Sequence, residues 1–403
     1  MSNVAKEATG PLSGLRMIEM GQLLAGPFCG QLMGDFGAEV IKIEQPTVGD
    51  PMRQWGRELV NGTSLWWPIL ARNKKCITLN ARVPEGQEII KELVRKSDFL
   101  LENFRPGTLE RWNLGYDVLS AINEAIIMIR VSGYGQTGPY SHKAGYAAVG
   151  EAMGGLRYVI GDPTSAPSRA GISIGDTLAA TYGCLGALMA LHNRHNTGKG
   201  QVVDSAIYEA VFAMMESLIS EYDKTGYIRE RTGSILPQVA PSNIYEAKDG
   251  QFLIAANQDT VFQRLCEAMD QPELAKDERY ATHHARGERQ TELDELINDW
   301  AKTKTVKELE KIMDSNGVPS GLIYRAPEML EDAHFKAREA IIDVANKHVG
   351  SIKMQNTFPK FSRTPGNVRW SGPDHGEHND EVYKDLLGMT DKQIGDFKEK
   401  GII

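Results

Sequence analysis

Between residues 15 and 131 short β-rich runs alternate with stretches of helical periodicity, and few folds accommodate that alternation. A strand is predicted over 15–19, then a Gly/Pro loop, a helix entered at Pro27 and ended near Gly37, and at once a second strand over 40–44. Proline suits the first helical turn because its missing N–H would have no partner there, and glycine suits the left-handed residue past the last turn. The pattern repeats with strands over 76–79 and 99–102, a helix over 85–95, another from Thr108, and a strongly apolar strand over 125–131. Such alternation predicts a parallel sheet covered by helices on both faces, a large doubly wound, Rossmann-like α/β domain.

Farther along, Leu178, Tyr182, Leu185 and Met189 recur at helical spacing and predict a helix over 176–192 buried along one side. A second long helix is expected over 207–220. After it the composition shifts: a hairpin over 242–255 turning at Lys248, Asp249 and Gly250, a helix over 260–269, charged helices across 290–313, and a turn and strand over 317–324. These describe a smaller α+β domain. Strand-like runs at 341–344 and 351–355 follow. The expected division is a large α/β domain over 1–220, a small α+β domain over 221–330, and a C-terminal segment over 331–403 that returns to the large domain.

Composition excludes several function classes. With 41% hydrophobic and 24% charged residues among 403, the chain has the make-up of a compact globular protein rather than a disordered one. A net charge of −8 without a dense Lys/Arg block argues against nucleic acid as a partner, since a phosphate backbone requires a basic face. Cys29, Cys76, Cys184 and Cys266 lie far apart without a CxxC pair, so neither a zinc site nor a disulfide framework is implied. The first ten residues are polar, and no stretch approaches the roughly 20 apolar residues of a membrane span. A cytoplasmic protein without a membrane partner is expected.

Three Gly-rich segments carry the candidate chemistry, at 21–27, 133–139 and 171–175, each read as a loop after a strand end, where open α/β sheets collect ligands. None has the GxGxxG or GxxxxGK[ST] spacing, so nicotinamide and ATP are poorly supported. Asp176 follows Gly175 and opens a helix. The ordinary role of an Asp there is to cap the helix; the same position favours an ionised carboxylate able to act as a nucleophile. Arg72, Asn73, Lys74 and Lys75 form one basic cluster before a strand, and Asn103, Phe104, Arg105 and Arg111 another after one. Either is solvated loop charge or, together, a site for phosphates and a stacked purine. No histidine shows metal spacing.

These residues resemble the class III CoA-transferases, a group that includes formyl-CoA transferase and the carnitine CoA-transferases. The likeness covers nearly the whole chain and rests on the joint order of several runs: Pro11-Leu12-Ser13-Gly14-Leu15-Arg16, Leu24-Ala25-Gly26-Pro27-Phe28, Gly37-Ala38-Glu39-Val40-Ile41-Lys42-Ile43-Glu44, Arg72-Asn73-Lys74-Lys75, Glu102-Asn103-Phe104-Arg105-Pro106-Gly107, Ser132 to Pro139, Gly175-Asp176 and Thr197 to Gln201. The resemblance implies an acyl-CoA bound in the large domain and an aspartate nucleophile matched here by Asp176. It implies CoA contacts from Leu23, Leu24, Gln45, Asn73, Lys74, Asn103, Phe104 and Arg111. It also implies an interlocked homodimer, acyl-CoA and a small carboxylic or dicarboxylic acid as substrates, and no prosthetic group or metal. Formyl-CoA transferase carries consecutive glycines before its small-domain hairpin, whereas this chain reads Leu236-Pro237-Gln238-Val239-Ala240-Pro241, so succinyl-CoA fits better than formate or oxalate chemistry. Arg53, Arg57, Arg157 and Arg169 are the candidates to pair with a second carboxylate.

Two rivals share the fold. A 2-methylacyl-CoA racemase resembles the chain over much the same length, but it places a His base after an Ala-Gly pair where this chain has Tyr146. A phenol, with a reference pKa near about 10, is a poor general base at neutral pH. The other is an inactive CoA-binding subunit of a heteromeric transferase, against which Asp176 speaks.

Overall fold

The structure, a computed structural model, describes residues 10–403; the polar stretch ahead of Gly10 lies outside them. The chain divides into two compact units. Among the described residues the larger comprises 10–157, Ala170–Gly226 and Lys336–Ile403, and the smaller Tyr158–Arg169 and Tyr227–Phe335. The first crossing therefore comes at Tyr158, where the sequence shows no change of composition, because a twelve-residue excursion has no pattern of its own.

The larger unit is built on β1 (Arg16–Glu19), β2 (Glu39–Glu44), β3 (Lys74–Thr78), β4 (Phe99–Glu102), β5 (Ile127–Ser132) and β6 (Val202–Ala206). All five pairings are parallel, in the spatial order β3-β2-β1-β4-β5-β6. This is the dinucleotide-fold order, with a switch point between β1 and β4. Side chains alternate between two cores. Ile18, Ile41, Ile77, Leu100 and Met128 pack on one face, with α2 (Pro84–Arg95) and α3 (Tyr116–Ile122). Met17, Val40, Phe99, Leu101, Ile127 and Ile129 pack on the other, with α1 (Pro27–Asp35) and α5 (Ile174–Thr197). All six residues of β5 are buried, which is why it reads as a strongly apolar run, and its one cation, Arg130, is paired with Glu102 and Glu110. The hairpin Ile341–Asn346 with Gly350–Gln355 also belongs to this unit.

Two helical expectations change. In α5 the buried residues are small ones apart from Leu191, namely Gly175, Ala179, Ala180, Gly183, Ala187 and Ala190; of the four apolar residues predicted to face inward, Leu178 packs half-buried on the core, while Tyr182, Leu185 and Met189 are exposed. Helix and sheet approach too closely for large side chains: a Cβ on Gly186 would lie 2.6 Å from Val203 Cγ1. Helix α5 is also long and apolar enough by length and composition to cross a membrane, which the sequence reading did not anticipate, yet one whole side of it packs on the sheet. The long helix expected over 207–220 is two helices, Ile207–Phe212 and Leu218–Thr225, because Glu216 between them has φ 51°, a left-handed backbone that no right-handed helix continues through.

In the smaller unit the strands Ser242–Glu246, Gln251–Ala255 and Ser320–Leu322 form an antiparallel sheet, the first two joined by the turn at Lys248 to Gly250. The helices Asp259–Ala268, Gln290–Ala301 and Val306–Asn316 pack around Tyr245, Phe252, Leu265 and Leu309.

Candidate active site

At the switch point the chain leaves β1 through Gly21 and Gln22, and the side chain of Asn103, one residue past β4, binds both backbone groups of Gln22. Gln22 N–H donates to Asn103 Oδ1 at 2.8 Å, and Asn103 Nδ2 donates to Gln22 O at 2.8 Å. The loop packs tightly enough there that a Cβ on Gly21 would meet Asn103 Oδ1 at 3.2 Å. Leu23 follows with φ 61° and donates its N–H to Asp50 Oδ1 at 3.1 Å. Lys42 Nζ donates to Gly21 O at 2.7 Å while lying 2.8 Å from Asp50 Oδ2 and 3.1 Å from Glu19 Oε1. Three consecutive loop residues are thus held by side chains from β2, from the residue just past β4 and from the turn at Asp50.

Under this loop lies a chain of buried charges. Burial alone would discharge Lys42, but Asp50 and Glu19 outweigh it and hold the ammonium above its usual range. Burial opposes ionisation of Asp50 as well, and Lys42 outweighs it, so that carboxyl sits below its usual range. Lys74 is enclosed too, with Nζ 2.8 Å from Glu19 Oε2 and a hydrogen bond to Pro27 O at 2.6 Å. There burial outweighs the one carboxylate, and the Lys74 pKa is lowered.

A cavity of about 270 Å³ opens beside the loop at the carboxyl ends of β1, β2, β3 and β4. Met20, Gln22, Ile43, Gln45, Leu79, Arg82, Phe104, Arg105, Thr108 and Trp112 line it. Phe104 is braced edge-on by Trp112, with ring centroids 5.2 Å apart, and its N–H is tied to Glu102 Oε2 at 2.7 Å. The cavity offers an aromatic face and two exposed arginines, Arg82 and Arg105, at its rim. That combination suits a purine and its phosphates.

Of the residues anticipated for a CoA site, Gln45 and Phe104 line this cavity, and Arg111 neighbours it through a hydrogen bond from Nη2 to Thr108 Oγ1 at 3.0 Å. Four others have different duties. Asn103 spends its amide on Gln22. Leu23 contributes strained backbone, and Leu24 is core, packed with Met52, Trp67 and Leu70. Asn73 is buried, with Nδ2 on Asp35 and Asn367 and Oδ1 accepting from Arg369 N–H.

The basic cluster before β3 is engaged within the chain. Arg72 is buried on Asp35, Lys74 on Glu19, and Lys75 pairs with Glu39 and Glu381 at 2.5 Å each. The cluster also sits at the amino end of β3, whereas Asn103 and Phe104 follow the carboxyl end of β4, and two strands separate β3 from β4. Charge alone does not distinguish a cation held inside from one offered to solvent.

Asp176 is not the cap of α5. Ser173 occupies that position, and Asp176 is the third residue of the helix, partly exposed in its first turn. The amide next to it is served by a residue that the sequence reading missed: Gly175 N–H donates to Glu151 Oε1 at 3.2 Å. Glu151 comes from α4 (Ala147–Met153), is 1% exposed, and accepts from Arg157 Nε on its other oxygen at 3.0 Å. Its signal was one acid in a helix otherwise made of small and apolar residues. Gly175 permits the contact, since a Cβ there would meet Glu151 Cγ at 3.0 Å. The segment 171–175 follows no strand, contrary to expectation. Asp176 does not line the 270 Å³ cavity.

Comparison with known proteins places these features. The sequence profile of CoA-transferase family III matches residues 12–379. A succinyl-CoA–D-citramalate CoA-transferase from Chloroflexus aurantiacus is 59% identical over 394 residues, 98% of each chain. The β subunit of a succinyl-CoA–L-malate CoA-transferase from the same organism is 41% identical over 98% of each chain. A human succinyl-CoA:glutarate CoA-transferase is 31% identical over 98% of this chain and 90% of its own. Among solved structures, a CAIB/BAIF family protein from Brucella suis superposes with a TM-score of 0.83 at 33% identity, covering 94% of this chain and 100% of its own.

Proposed function

The chain belongs to CoA-transferase family III, and from that premise we propose that it moves CoA from succinyl-CoA to a small dicarboxylic acid through covalent intermediates on Asp176. It is a CoA-transferase, and enzymes of that kind take CoA thioesters as substrates. The finer reading is carried by one observation: relatives that match it end to end are named for succinyl-CoA paired with citramalate, malate or glutarate, all dicarboxylates.

The chemistry follows from the residue type. The Asp176 carboxylate attacks the thioester carbonyl, the C–S bond breaks, and a mixed anhydride forms with release of CoA thiolate. The thiolate attacks the aspartyl carbonyl of the anhydride, giving an aspartyl-CoA thioester and the free donor acid. The acceptor carboxylate then attacks that thioester, the thiolate leaves and attacks the acceptor carbonyl of the new anhydride, and Asp176 is regenerated. Each addition develops an oxyanion, which preorganised backbone amides stabilise best. The loop 21–26 is held by Asn103, Lys42 and Asp50, and since the amides of Gln22 and Leu23 are engaged by Asn103 and Asp50, this role falls to the amides of Leu24 to Gly26. Position in the first turn of α5 favours the ionised form of Asp176, because the helix dipole is positive there.

A homodimer is part of the same reading. Tyr182, Leu185 and Met189 on α5, with Phe212, Met214, Ile219 and Tyr222 nearby in sequence, are exposed in the single chain. Apolar surface on this scale marks an interface, and the sequence-implied pairing of two chains would cover it. Sedimentation at decreasing concentration is expected to show a dimer that persists; a fully active monomer would refute it.

Purified protein offered succinyl-CoA and a panel of free acids tests the function. Transfer to C4 and C5 dicarboxylates is expected, with hydroxylamine-trappable acyl or CoA mass on the peptide containing Asp176. Asp176→Asn should fold and lose several orders of magnitude in rate, since an amide cannot form the anhydride. An Asn variant at wild-type rate without any adduct would remove Asp176 from the mechanism, and transfer to monocarboxylates alone would remove the dicarboxylate reading.

A further inference from the structure

We infer that Arg157 reads the carboxylate that a dicarboxylic substrate keeps free while its other end is a thioester or anhydride; this rests on the dicarboxylate reading above. A dicarboxylate reacts at one end and stays anionic at the other. Selecting it over a monocarboxylate of equal length requires a cation set back from the nucleophile, with donors to spare.

Geometry separates the arginine candidates. Arg53 is committed: Nε and Nη2 hold both oxygens of Glu44 at 2.7 Å each, Nη1 donates to Pro373 O at 3.2 Å, and the guanidinium lies 3.7 Å from the Trp67 ring centroid. Arg57 is 94% exposed and pairs with its neighbour Glu58, so nothing orients it. Arg169 falls in the segment grouped with the smaller unit. Arg157 is linked to the helix terminus that carries Asp176. Its Nε donates to Glu151 Oε2 at 3.0 Å, and Glu151 Oε1 accepts from the amide of Gly175, the residue before Asp176.

One carboxylate therefore stands between the guanidinium and the backbone of the nucleophile. Glu151 is 1% exposed and fixes Arg157 through Nε only. Both Nη nitrogens lack a protein hydrogen-bond partner among the described residues, and neither is enclosed, as the side chain is 26% exposed. The Nη1–Nη2 edge of a guanidinium binds a carboxylate through two parallel hydrogen bonds, and here that edge is left open while the group is oriented from behind. In the free enzyme Glu151 balances the charge, so Arg157 needs no substrate to remain in place.

The test compares kcat/KM for glutarate with valerate, and for succinate with butyrate, using succinyl-CoA as donor, in the wild type and in Arg157→Met and Arg157→Lys. The wild type is expected to prefer each dicarboxylate. Arg157→Met, which also leaves Glu151 without its cation, should lose about 10- to 100-fold more in kcat/KM for the dicarboxylates than for the matched monocarboxylates, the usual worth of a charged hydrogen-bonded pair. Arg157→Lys, which keeps the charge and loses the paired donors, should fall between, and it carries the test if the Met variant does not fold. Equal losses on both acid types would mean that Arg157 only supports the helix terminus, and an unchanged preference would place the selecting group elsewhere; either overturns the inference with the transferase reading intact. A wild type that uses no dicarboxylate overturns both.

Discussion

Asn103 holds Gln22 from both sides of its peptide backbone, accepting from its N–H and donating to its C=O at 2.8 Å each, and so ties the loop after β1 to the end of β4 across the switch point of the sheet. In Asn103→Ala both groups lose their partner, and the partly buried loop opens to water locally rather than bear about 1–3 kcal/mol per unsatisfied group. The expected result is faster amide exchange at Gln22 and Leu23 and a drop in kcat/KM for succinyl-CoA, while global unfolding shifts little. Asn103→Asp retains the acceptor and loses the donor, so it should fall between. Unchanged exchange in the Ala variant would show that the loop is held by other means.

Lys74 and Arg111 are expected to part company. Lys74→Ala leaves Glu19 buried with Lys42 as its remaining partner, and breaking a buried pair costs about 3–5 kcal/mol. That variant should lose stability in denaturant titration. Arg111→Ala removes an exposed side chain beside the cavity and should raise KM for acyl-CoA with stability intact. A stable Lys74→Ala enzyme whose only defect is KM would restore Lys74 to the binding site.

Gly175→Ala tests how closely α5 must approach α4. The added Cβ would lie 3.0 Å from Glu151 Cγ and 3.2 Å from Ile207 Cγ2, both inside the core, so the helix terminus has to shift by a few tenths of an ångström. A stability loss of about 1–3 kcal/mol is expected. The rate of transfer should fall by more than that loss explains at temperatures where the variant remains folded, because a small displacement of a nucleophile is costly. Wild-type turnover in a folded Ala variant would separate the packing from the chemistry.

The pH dependence of stability should carry the mark of His378. Burial is the main cause of its lowered pKa, opposed by the nearby carboxylates Glu377 and Glu381 and aided by the cations Lys75 and Lys347. Its Nδ1 accepts a hydrogen bond from Cys76 N–H at 3.2 Å, which requires that nitrogen to be unprotonated. The unfolded chain thus binds the proton better than the folded one, and stability rises with pH through this window. The contribution is complete above the unfolded value of about 6.5 and is lost as pH falls through the lower folded value. Thermal midpoints measured between pH 7.5 and pH 5 should decline, and His378→Gln, whose amide oxygen can still accept from Cys76, should flatten the decline. An identical slope in the variant would assign it to other groups.

Patterns carried by neighbouring residues were legible before any coordinates. Alternating runs from Arg16 to Ser132 specify a parallel α/β sheet because strand and helix periods are local properties, and the apolar residues of β5, Ile127 to Ile129 and Val131, announce a strand covered on both faces. Asp176 stood out for the same reason, as an acid beside a glycine at a helix start. What the sequence left open were relations set by partners far along the chain. Lys74 and Arg105 look alike in the sequence, yet one is enclosed on Glu19, 55 residues away, and the other is exposed at the cavity rim. The inward side of α5 proved to be mostly alanines and glycines, with Tyr182, Leu185 and Met189 turned outward, since helix-to-sheet distance selects side-chain volume and periodicity records only polarity. Glu151 gains a role only because Gly175 N–H and Arg157 meet on its two oxygens. A carboxylate's function depends on which donors the fold brings within about 3 Å, and that distance is a property of tertiary structure.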